Sequence, residues 1–129
     1  MVITTSKRLQ GKTALVTGST RGLGRTTAEW LAREGAAIVV VTTGADGCVA
    51  ATEAGELVSV PAPAVDPVST LGAGDVFHGA LLAGLVRELP LEEALADANA
   101  VAAASCAALD GRSAIPVRAR LEPGTGGAA

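Results

Sequence analysis

Apolar and polar positions change period several times along the chain, and each change marks an element. Residues 13–17 (TALVT) form a short apolar run between a polar leader and a glycine turn, the pattern of a buried parallel strand. From residue 21 to 34, Leu23, Thr27, Trp30, Leu31 and Glu34 recur at helical spacing, and Gly35 is placed to end that helix in a left-handed conformation. Residues 37–42 (AIVVVT) are continuous and β-branched, hence a second strand. Strand, helix and strand at these spacings predict a βαβ unit with a right-handed crossover.

Residues 44–47 (GADG) read as a turn. Two weaker, Ala-rich strands follow at 48–52 and 56–60 around a hairpin loop at Glu53, Ala54 and Gly55. Pro61, Pro63 and Pro67 forbid regular ladder pairing, so the connector is expected to be extended and irregular. A helix over 75–89 is predicted from Val76, Leu81 or Leu82, Leu85, Val86 and Leu89, ending near Pro90. A second follows over 91–109, with Glu92 and Glu93 matching its positive N-terminal end and Asp110-Gly111 marking its exit.

The composition changes this picture in three ways. At 129 residues one domain is expected, spanning 1–116, with a disordered tail over 117–129. With 49% hydrophobic but only 2% aromatic residues, the core must be built from Ala, Val and Leu, with Phe77 and Trp30 as its large rings and the two cysteines, Cys48 and Cys106, as small buried groups. A net charge of −3 without a cluster of Lys and Arg argues against a nucleic-acid partner, and no apolar stretch is long enough to cross a bilayer. Cytoplasmic residence, or recombinant production, is the resulting expectation. One His and two distant Cys give no zinc spacing, so no metal site is assigned.

Two glycine turns carry the candidate chemistry. Residues 17–24 read TGSTRGLG and residues 72–75 read GAGD, each feeding a helix N-terminus whose free N–H groups and dipole attract an anion. In the first, Gly18 suits the sharp turn, Gly22 the close approach of a pyrophosphate, and Gly24 the contact of helix with strand. Residues 9–40 thus resemble the opening of the short-chain dehydrogenase/reductase family, whose fingerprint is TGxxxGxG. That resemblance implies cofactor binding by Gly18, Ser19, Arg21, Gly22, Leu23 and Gly24, with Arg21 favouring NADP. The family's catalytic Tyr is missing, because the sequence contains no tyrosine. The bland alternative for this turn is a simple strand-to-helix joint.

The second turn lies in VDPVSTLGAGDVFHGALLAGL, residues 65–85, which resembles the signature DTxGAGDxFxGA of the ribokinase-like (pfkB) carbohydrate kinases. The resemblance implies Asp75 as general base toward a sugar hydroxyl and an anion hole formed by Gly72, Ala73 and Gly74. It extends to VTTGADG, placing Thr42, Gly44 and Gly47 beside nucleotide phosphates, and to ALADANAVAAA, placing Asn99 near the adenine. Bound ATP or ADP with magnesium is implied. Ser69 stands where the family has an Asp, and Asp75 has the plainer alternative of a helix N-terminal residue. His78 falls on a variable motif position and is expected to pack or face solvent.

Taken together, these residues predict an α/β fold: a small three-layer Rossmann-like or ribokinase-like sheet, mainly of parallel strands plus a β-hairpin. The economical origin is a chimera joined within the second strand, engineered or recombined, with Asp75 a vestigial base and residual nucleotide or phosphate binding instead of turnover. A kinase fragment using Asp75 and an NADP-binding fragment are the alternatives. Few strands and uncovered apolar faces predict a homodimer.

Overall fold

The computed structural model describes residues 7–17 and 22–117. The expected tail beyond Val117 therefore lies outside the described residues. Four strands, β1 (Thr13–Val16), β2 (Ile38–Thr42), β3 (Cys48–Thr52) and β4 (Leu57–Val60), form one sheet in the order β1-β2-β3-β4. Among the described residues three α-helices accompany the sheet: α1 (Gly22–Arg33), α2 (Ala73–Val86) and α3 (Leu91–Ser105). The predicted α/β class, βαβ opening and hairpin are all present.

Parallel pairing is confined to β1–β2, while β2–β3 and β3–β4 are antiparallel. The sheet is mixed, where mainly parallel strands were expected. The reason is chain length: only residues 43–47 separate β2 from β3, and a parallel crossover needs a dozen residues or more. Within that link Gly44–Asp46 makes a 3-10 turn, and the Thr43 N–H donates to the Gly47 carbonyl at 2.8 Å.

The period of two along the strands sorts their side chains onto opposite faces. Ala14, Val16, Val39 and Val41 pack with Ala28 and Leu31 of α1 on one side. Leu15, Ile38, Val40, Cys48, Ala50 and Val60 turn to the other side, onto Phe77 and Leu81 of α2 and Leu95 of α3. Helix, sheet and helix pair make three layers. The main core is aliphatic apart from Phe77, as the composition required.

Three details of the helices depart from expectation. In α2 the buried stripe is Phe77, Leu81 and Gly84, while Leu82 and Val86 are exposed. Gly84 sets this phase: a Cβ there would lie 3.0 Å from the Cβ of Ala94, so α2 and α3 meet through their smallest residues. The same helix stops at Val86, because Glu88 adopts a left-handed φ of 57° and the Leu89 N–H turns back to the Gly84 carbonyl at 3.1 Å. Helix α3 ends at Ser105, four residues early, where the N–H groups of Cys106 and Ala107 tighten onto carbonyls three residues back.

Trp30 is not a core residue. It is 48% exposed, with the Arg33 guanidinium 5.6 Å from its ring centroid. Leu23, two turns earlier, is 88% exposed. Both cysteines are buried and unpaired, as expected, and burial pushes the Cys48 thiol up. After α3, Asp110 accepts the N–H groups of Ser113 and Arg112 and the Ser113 hydroxyl, which hold its carboxyl down to about 2. No helix among the described residues is long and apolar enough to cross a membrane.

Candidate functional site

The end of β2 at Thr42, the turn that follows it, the connector between β4 and α2, and the facing sides of α2 and α3 line a cavity of about 490 Å³. Each wall follows from local sequence. Gly47 has φ 102°, and its missing side chain lets the turn after β2 press against the backbone of Val60, Pro61 and Ala62. Prolines keep the connector extended, and the N–H groups of Val68 and Ser69 both donate to the Cys106 carbonyl, at 2.9 and 3.1 Å. The connector is thereby pinned across the end of α3 and roofs the cavity.

At one wall stands the N-terminus of α2. Gly72 takes a left-handed φ of 76° and no side chain caps the helix. The Val76 N–H closes the first turn on the Gly72 carbonyl at 2.9 Å, and the Ala73 N–H reaches the Thr70 carbonyl at 3.2 Å. The N–H groups of Gly74 and Asp75 are consequently without a partner inside their helix, and Ala73 and Gly74 line the cavity. Asp75 is exposed on this first turn. Ser69, which replaces the expected carboxylate, accepts the Leu71 N–H at 3.2 Å and so shapes the turn that leads to Gly72.

In the opposite element, α3 contributes Asn99, 4% exposed. Its Nδ2 donates to the Val60 carbonyl at 2.9 Å, to the Pro61 carbonyl at 3.4 Å and to Cys48 Sγ at 3.4 Å. Two carbonyl partners fix the amide orientation, since only the nitrogen end can donate. The Oδ1 carbonyl is the atom left for a ligand.

Of the residues singled out in the sequence, Thr42, Gly44, Gly47, Ala73, Gly74 and Asn99 meet at this cavity. Gly72 and Asp75 flank it. Gly18, Ser19 and Arg21 lie outside the described residues. Gly22 and Gly24 begin α1, and Leu23 faces a separate open groove with Trp30. His78 packs on its own helix, with Nδ1 3.2 Å from the Gly74 carbonyl.

Sequence reasoning missed the apolar lining: Pro63, Val65 and Pro67 of the connector, and Ala102 and Cys106 of α3. A signal existed, because residues 99, 102, 103 and 106 recur at helical spacing and share a face with Asn99. Among the described residues no group of three or more His, Cys, Asp or Glu is placed to hold a metal ion.

A sequence model of the pfkB family of carbohydrate kinases matches residues 15–118. The 1-phosphofructokinase of Escherichia coli is 44% identical over 73 residues, 57% of this chain and 23% of that enzyme. The aminoimidazole riboside kinase of Salmonella enterica, solved with aminoimidazole riboside and an ATP analogue, superposes with a TM-score of 0.69 at 32% identity, over 81% of this chain and 39% of that one. A shorter match, 66% identical over 32 residues, is to a 7alpha-hydroxysteroid dehydrogenase of Clostridium sardiniense, covering 25% of this chain and 12% of that protein. The chain spans about a quarter of the length of the curated kinases it matches.

Proposed function

Because this chain belongs to the pfkB family of carbohydrate kinases, we propose that it is a nucleotide-binding portion of such an enzyme, taking an adenine nucleotide in the cavity between α2 and α3. One observation carries this reading: a cavity of about 490 Å³ that ends at the uncapped first turn of α2, with a fixed amide in its wall. The aliphatic lining suits a flat base, and the N–H groups of Gly74 and Asp75 suit phosphate oxygens. Asn99 Oδ1 is an acceptor. It selects a base that presents an amino group over one that presents a carbonyl.

Calorimetry with ADP, ATP and GDP tests this. ADP is expected to bind, with GDP weaker by about tenfold, since a carbonyl facing Oδ1 leaves two acceptors unpaired. No heat with ADP or ATP at millimolar concentration removes the proposal.

Phosphoryl transfer to a sugar, with Asp75 as base, belongs to a more complete fold than this chain spans. Transfer depends on positioning a bound hydroxyl against the phosphate. We infer also that the β1–α1–β2 unit came from a reductase by recombination or engineering. The 66% identity to a steroid dehydrogenase beside the kinase match supports this. With no tyrosine in the chain, the reductase's proton donor has no counterpart here.

A further inference from the structure

Thr17, the last described residue before α1, lies against Gly74, which lines the cavity. Thr17 follows β1, and continuing the parallel register of Val16 with Val41 puts it beside Thr42, which lines the cavity. Its Cγ2 lies 3.5 Å, and its Oγ1 4.0 Å, from the position a Cβ would occupy on Gly74. The Thr17 methyl thus packs toward Gly74 in ordinary van der Waals contact, with the hydroxyl slightly farther off, and the residue as a whole is exposed. Thr17 and Gly74, more than fifty positions apart in the chain, are thereby brought side by side.

From this juxtaposition we propose that Thr17 is a specificity-determining residue of the nucleotide site, its hydroxyl donating to the terminal phosphate while the N–H groups of Gly74 and Asp75 hold the same group from the helix side. The inference rests on the nucleotide reading given above and adds a residue contributed by the reductase-like unit. A hydroxyl can rotate its proton toward an anion, and a hydrogen bond to a charged acceptor is stronger than one between neutral groups. Thr17 would thus favour nucleotides carrying a phosphate chain over the bare nucleoside.

The test compares wild type, Thr17→Val and Thr17→Ser by calorimetry with ADP and with adenosine. Thr17→Val keeps the shape and removes the donor. It is expected to weaken ADP about tenfold while leaving adenosine unchanged, and Thr17→Ser is expected to bind ADP within about twofold of wild type. Equal ADP affinity in wild type and Thr17→Val overturns the proposal, as does a parallel loss of ADP and adenosine, which would mark Thr17 as a packing residue. If wild type binds ADP and adenosine equally, no phosphate contact exists and the Thr17 role fails while the cavity stands. Absence of both ligands from wild type overturns the nucleotide reading and this inference with it.

Discussion

Gly47→Val is expected to be strongly destabilised, with its urea midpoint well below that of wild type. The glycine sits at φ 102°, where L side chains are strained, and a Cβ would collide with the Val60 carbonyl oxygen while lying 2.6 Å from the Ala62 nitrogen and 2.8 Å from the Pro61 carbonyl carbon. All three obstacles are backbone, so relief requires moving either the turn after β2 or the connector that roofs the cavity. Strain and overpacking together give a loss of about 4 kcal/mol, a large part of the roughly 5–15 kcal/mol that holds a domain of ordinary stability. Gly44→Ala is the control. Gly44 has φ 71° with open space around it, and its substitution is expected to cost about 1 kcal/mol. Urea midpoints of the two variants measure the difference, and equal midpoints would show that the turn yields freely.

The second large effect lies in the layer between the sheet and the helix pair. Leu95 is fully buried, packed with Val40, Leu81 and Ala98 in the main cluster. Truncating it to Ala removes apolar contact and leaves a void that an Ala-rich surround is poorly able to refill, at a cost of about 3 kcal/mol. Leu82→Ala, on the exposed side of α2, removes the same atoms from a site that is 62% exposed. Its expected cost is below about 0.5 kcal/mol. A comparable loss from the two changes would mean that Leu82 is covered in solution, as a partner chain on that face would do.

The contrast between those two leucines also shows what the sequence could and could not reveal. Periodicity alone could not choose between Leu81 and Leu82, because both fit a helical stripe when the phase is free. The choice is made by Gly84 against Ala94, a contact between two small residues that hydrophobicity patterns do not register. Strand positions were easier: a β-branched run such as IVVV has one regular conformation available, and β2 formed there. The mixed pairing of the sheet was also written in a countable quantity, the short link between β2 and β3. Trp30 was misjudged because a large ring at helical spacing looks internal, whereas α1 covers only β1 and β2 and turns its other side to water.

For the site, the glycine turn and Asn99 were legible because motif spacing fixes their type. The proline-rich roof was not. Its residues act by position, held by two N–H groups on the Cys106 carbonyl, and no local pattern announces a hydrogen bond between residues so distant in the chain.

The half-exposed indole of Trp30, the only tryptophan in the chain, also decides how this protein must be watched. Its emission when folded is expected to lie already near that of a solvated ring, so intrinsic fluorescence wavelength should shift little on denaturation, and circular dichroism should trace the transition more fully. Helix α1 lies on one face of the sheet and α2 and α3 on the other, so a nucleotide entering the cavity is expected to leave that signal unchanged.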